Sequence, residues 1–155
     1  MLGRITISRT FPTTASPSAV WAALEAAPRW PEVLNDLVEA RIEPSGELVT
    51  GAVIRTVAKP GTRAVDMVYR VVAADPRLHL AIESGTDDFR ARTDYAIDAF
   101  ATGARVTVTS AVEPVRWLHR ITTALARPAY TRQFEATMDA RMLPMLALAE
   151  RIQRQ

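Results

Sequence analysis

From Tyr130 onward, apolar side chains recur every three to four residues, at Tyr130, Phe134, Met138, Met142, Leu146 and Ala149. This spacing is one face of an amphipathic helix, and it predicts that the last thirty or so residues form a single long helix. Pro144 falls inside the stripe, where it removes one backbone hydrogen bond and crowds the carbonyl of Ala140 at a cost of about 3 kcal/mol, so a kink is expected near residues 140–144. Pro128 lies where a helix start tolerates proline. Residues 116–126 read as a separate helical segment before it.

The chain ahead of this helix has a different rhythm. Ile5, Ile7 and Phe11 alternate with Thr6, Ser8 and Thr10, the period of a half-buried strand. Ser16 and Pro17 then supply an N-cap oxygen and a proline at the first helical position, opening a short helix with Val20, Trp21 and Leu24. Pro28 ends it, and Pro31 opens a second short helical turn that stops by Asn35 and Asp36. Beyond lie six β-rich runs, near 38–43, 50–58, 63–74, 78–84, 89–100 and 104–113. They are separated by turn chemistry such as Pro44-Ser45-Gly46, Lys59-Pro60-Gly61, Asp75-Pro76, Ser84-Gly85 and Thr102-Gly103, the pattern of an antiparallel meander. No repeat or linker interrupts the 155 residues, which read as one α+β domain, 1–155.

Several classes of function are disfavoured at this stage. The 19 basic and 17 acidic side chains are dispersed, without the basic block that phosphate backbones attract, so nucleic acid is not an expected partner. Absence of cysteine excludes disulfides, thiolate nucleophiles and thiolate metal sites. His79 and His119 are not spaced for a metal or a hydrolytic triad, and no glycine-rich phosphate loop occurs, so no metal or cofactor is expected. Asp87 and Asp88 read as a solvated turn. The N-terminal MLGRITISRTF has no long apolar segment and no apolar run reaches eighteen residues; neither a signal peptide nor a membrane span is expected, and a cytoplasmic location is the default.

The order of strand, two short helices, six strands and long helix resembles the helix-grip fold of the START-like superfamily, which includes polyketide cyclases, plant hormone receptors and lipid-binding proteins. The resemblance rests on the entry ITISRTFPTTASPSAVWAAL with its Ser16-Pro17 start and Trp21, on Trp30-Pro31-Glu32, on Asp75-Pro76, and on Gly103-Ala104-Arg105-Val106 opening the last strand. It implies a curved antiparallel sheet of about seven strands wrapped around the C-terminal helix, with a ligand cavity between them. Such a cavity is expected to be on the order of 300 Å³ or more.

Strand parity nominates the lining. In 89–100, Phe89, Ala91, Thr93, Tyr95 and Ile97 oppose the charged Arg90, Arg92, Asp94 and Asp98, so the first set should face inward. Val106, Val108, Ser110 and Val112 follow the same logic, as do Leu78, Leu80 and Ile82, and Val65, Met67, Tyr69 and Val71. Tyr69, Tyr95, Thr93 and Ser110 are the candidate polar handles. Each competes with a plainer role as core filler whose hydroxyl meets a backbone group. Tyr130, Phe134, Met138 and Met142 form the candidate ceiling, and Trp30 is a candidate gate or anchor. Arg55, which shares a parity with Val53 and Val57, is a candidate inward cation for an oxyanion. The ladder of Arg92, Asp94, Asp98 and Arg105 reads as solvated cross-strand pairing.

Three functions remain open on this reading. One is binding of a small hydrophobic molecule, such as a lipid, an isoprenoid or an aromatic or polyketide metabolite. The second, implied by the resemblance, is a cofactor-independent polyketide cyclase or dehydratase using Tyr and Arg donors. The third is a protein-interaction module, and homo-oligomerisation is compatible with each.

Overall fold

The computed structural model describes residues 3–155. The alternating segment Ile5–Thr13 is strand β1, and Ser16 caps helix α1 (Pro17–Glu25) by accepting from the Ala19 N–H. A 3-10 helix, Ala27–Glu32, follows, with Pro31 inside it. Then come β2 (Leu37–Glu43), β3 (Val53–Ala58), β4 (Val65–Asp75), β5 (His79–Gly85), β6 (Phe89–Phe100) and β7 (Gly103–Pro114). Helix α2 (Trp117–Leu125) and helix α3 (Arg127–Arg154) complete the chain.

All seven strands pair antiparallel in one open sheet of order β1-β7-β6-β5-β4-β3-β2. The two short helices carry the chain from one sheet edge to the other, and β1 then lies beside β7. Helix α3 packs against β1 and α1, and its side chains Met142, Met145, Leu146, Leu148 and Ala149 are buried there with Ile5, Ile7, Phe11, Val20 and Trp21. Polar ties fix its position. Arg9 of β1 forks onto Asp139, with Nη2 to Oδ2 at 2.6 Å, and reaches Glu135 at 3.0 Å. Farther along, Thr13 donates to Glu150, and the Ser16 N–H donates to Gln153. The helix runs through Pro144 without interruption.

The expected parity holds over β6 and β7, where Ile97, Val106 and Val108 are buried. At two strand ends it does not. Leu78 is 58% exposed because it belongs to the turn after Asp75, with Arg77 at φ 70° and the Leu78 N–H donating to Asp75 O. Val65 is exposed as well, since the whole β3–β4 hairpin end, residues 59–66, stands in solvent. The expected start of β3 at residue 50 gives way to a turn in which Gly51 has φ 93°. On the outer face, Arg92 and His79 both meet Asp94, and the Arg92 contact first of all holds that carboxyl below the usual range. Arg105, expected in the same ladder, lies over the Phe100 ring instead, 4.5 Å from its centroid.

Candidate functional site

Where the middle of α3 passes over the inner face, sheet and helix leave a partly open cavity of about 170 Å³. Its floor is built from inward positions of four strands: Ile54, Thr56 and Ala58 of β3, Met67 and Tyr69 of β4, Ile82 of β5 and Tyr95 of β6. Arg141, Met142 and Met145 of α3 roof it, and Leu24, Trp30, Leu34 and Leu37 close one side. The volume is below the 300 Å³ expected from sequence, because two tyrosines and three methionines line the gap. It is close to the ~150 Å³ of an apolar cavity that holds one benzene ring. A larger hollow of about 800 Å³ lies on the outer face, but it is an open trough. Its arginines are largely engaged, Arg4 with Glu113, Arg55 with Glu43 and Arg92 with Glu83. The cavity beneath α3 is the more sheltered and more apolar of the two, the character of a small-molecule site.

Its polar equipment is sparse and specific. Tyr69 Oη donates to Met67 Sδ at 3.6 Å, whereas Tyr95 Oη has no protein partner among the described residues. Burial, reinforced by the neighbouring Tyr69, pushes the Tyr95 phenol up to about 12. Burial likewise raises Tyr69. Both are therefore donors near neutral pH, and neither serves as a base. Arg141 forks onto Asp36 at the start of β2, with Nη1 to Oδ1 at 3.0 Å and Nη2 to Oδ2 at 2.7 Å. Its cation opposes the upward shift of both tyrosines, so its field reaches the cavity. Trp30 donates from Nε1 to Ala23 O at 2.9 Å, which anchors the indole as a wall. Among the lining residues there is no carboxylate and no histidine.

The sequence-derived candidates divide accordingly. Trp30, Met67, Tyr69, Tyr95 and Met142 come together around the cavity. Thr93 and Ser110 face each other across β6 and β7 and share a hydrogen bond of 3.0 Å, outside the lining. Tyr130 and Phe134 stack at 6.2 Å and pack on the core edge, and Met138 is buried beside them in sequence but not in the cavity wall. Arg55 does not face inward. It lies on the outer face and donates to Glu43 at 2.7 Å, while its neighbours Ile54 and Thr56 take the inner positions. The cation that does reach the cavity is Arg141, which the helical spacing alone leaves among solvated residues.

Burial of Tyr95 has a testable consequence at alkaline pH. Its phenol titrates at about 12 in the folded chain against 10.0 ordinarily, so the unfolded chain loses that proton first as pH rises. The folded state then binds more protons than the unfolded state, and stability falls across this window. Chemical denaturation between pH 9.5 and about 11.5 should show a steeper loss for the wild type than for Tyr95→Phe. Parallel curves would show that Tyr95 titrates as an ordinary phenol.

An open antiparallel sheet gripping a long C-terminal helix over an apolar cavity defines a helix-grip protein of the START-like class. The chain belongs to the family described as polyketide cyclase / dehydrase and lipid transport, which it matches over residues 4–140. No curated protein sequence matches it. Among solved structures it is similar to the Zhui aromatase/cyclase from a Streptomyces strain, with TM-score 0.71 and 14% identity, covering 96% of this chain and 94% of that one. It is similar also to Ara h 8.0201, with TM-score 0.73 and 12% identity over 98% and 99% of the two chains. A third is norcoclaurine synthase from Thalictrum flavum in complex with dopamine and hydroxybenzaldehyde, with TM-score 0.68 and 13% identity over 96% and 87%.

Proposed function

We propose that the protein binds a small hydrophobic molecule, one aromatic ring or an isoprenoid unit of similar bulk, carrying one oxygen function. The observation that carries this reading is Tyr95, a phenol with no protein partner among the described residues, in the lining of a mostly apolar cavity. Apolar burial would supply most of the affinity, and Tyr95 would orient the oxygen. Arg141 sits where a small rotation away from Asp36 would let its planar donors meet an acidic group. The family description and the similarity to a protein crystallised with hydroxybenzaldehyde support a ligand of this kind.

Cyclase or dehydratase chemistry is the second reading, favoured by the family description. Tyr95 would then donate to a developing enolate oxygen. Against it stand the absence of a base among the lining residues and a volume too small for an extended polyketide chain. Titration with benzene and phenol, beside a turnover assay on a poly-β-keto test compound, separates the readings. Binding alone predicts that phenol outcompetes benzene and that Tyr95→Phe weakens it by about two- to tenfold, one neutral hydrogen bond, with the ligand recovered unchanged. Loss of water from, or cyclisation of, a poly-β-keto test compound, falling about a hundredfold or more in Tyr95→Phe, would establish the enzyme instead. No preference for phenol over benzene would remove Tyr95 from the site.

A further inference from the structure

Helix α2 is oriented the wrong way round for a helix that stabilises a core. At 100° per residue, Trp117, Leu118, Ile121 and Leu125 occupy one face, and they are 71, 56, 41 and 82% exposed. The opposite side meets the body of the protein with polar groups. Thr123 is 2% exposed, Arg120 donates to Pro114 O, and the His119 ring stacks on Phe89 at 5.7 Å. An amphipathic helix ordinarily does the reverse. From residue 114 to residue 134 the charges are Arg116, Arg120, Arg127 and Arg132, with no acidic side chain. Asp88, the acid that approaches the helix, is already met by Arg116 at 3.4 Å and His119 at 3.5 Å.

We propose that α2 docks the protein on an anionic lipid surface, with Trp117, Leu118, Ile121 and Leu125 in the interface and the exposed Arg127 and Arg132 on lipid phosphates. The exposed Trp and Leu face with arginine flanks is the make-up of a helix that lies in the plane of a membrane interface. At 9 residues it is far too short to cross one. A second copy of the chain fits less well. The face offers only a few hundred Å² of apolar surface, against the ~800 Å² per partner of a stable interface, and each copy would bring the same four arginines to the contact. This docking is independent of what occupies the cavity.

Co-sedimentation with vesicles tests it, using phosphatidylcholine alone and phosphatidylcholine with about one third phosphatidylglycerol. The wild type should sediment with the anionic vesicles, release in high salt, and show a blue-shifted tryptophan emission as Trp117 leaves water, Trp21 being buried already. The double variant Leu118→Asp, Leu125→Asp should lose at least about tenfold in binding, and Arg127→Glu with Arg132→Glu should lose the preference for anionic lipid. These side chains are exposed, so folding is maintained and circular dichroism checks it. Failure of the wild type to sediment, or variants that bind equally well, would overturn the proposal. So would dimerisation, seen by light scattering, that the double Asp variant abolishes, since that would assign the face to a second copy.

Discussion

Placing phenylalanine at position 58 is expected to abolish binding of phenol, a loss of at least about a hundredfold, while the fold survives. Ala58 sits on the inner face of β3, is 9% exposed and lines the cavity. A phenyl ring there would occupy roughly the volume of one benzene, close to all of the 170 Å³ available. Because the space already exists, overpacking should cost less than the ~1–3 kcal/mol typical of filled cores, and the aromatic residue suits a strand. Isothermal titration gives the affinity and thermal denaturation the stability. A variant that melts near the wild type and still binds with unchanged affinity would show that the ligand lies elsewhere.

Gly103→Ala should have the largest effect on stability, at least about 3 kcal/mol, and should leave little folded protein if the wild type is marginal. Gly103 opens β7 at φ 145°, a backbone state that side-chain-bearing residues avoid. A Cβ at this position would run into the Thr13 carbonyl oxygen and lie 2.8 Å from Thr14 Cα, both backbone atoms that cannot swing aside. Relief would require parting β1 from β7, the pairing that closes the sheet. Gly46→Ala is the control. It also has a positive φ, 82°, yet a Cβ there meets nothing within 4 Å, so only the conformational penalty of about 1 kcal/mol applies. Urea denaturation of the two variants separates steric collision from backbone preference. Equal losses would show that β1 can shift to accommodate the methyl group.

The antiparallel meander could be read from sequence because alternation and turn residues agreed along 89–113, where charged and apolar side chains segregate cleanly. Tyr69 and Tyr95 followed from the same parity. Arg55 misled because the outer face of β3 and β4 is itself partly apolar, with Val53, Val57 and Val68 there, so an arginine among valines resembled a buried cation. Arg141 was invisible for the converse reason. On a helix whose stripe runs through Met138 and Met142, a flanking arginine reads as solvent-facing, and its role depends on Asp36, 105 residues away. Cavity volume was equally out of reach, since it is a small difference between the span of the sheet and the bulk of side chains that fill it. Of α2 only a helical segment at 116–126 could be read, and its orientation could not, because periodicity fixes which residues share a face and says nothing of where that face points.

Adjacency of the first and last strands also sets a timetable for synthesis. Ser8 finds its hydrogen-bond partner Thr109 at a sequence separation of 101, so β1 must wait on the ribosome until β7 has emerged. The meander from β2 to β7 grows meanwhile by neighbour-to-neighbour pairing and leaves β7 as an unfilled edge, open to strands of other chains. Only the arrival of β1 retires that edge, and Arg9 on β1 then presents the anchor for Glu135 and Asp139 of α3. The nascent chain is thus most prone to mispairing late, with nearly all of its strands made, and slowing translation once β7 has left the ribosome should favour the complete sheet over aggregates.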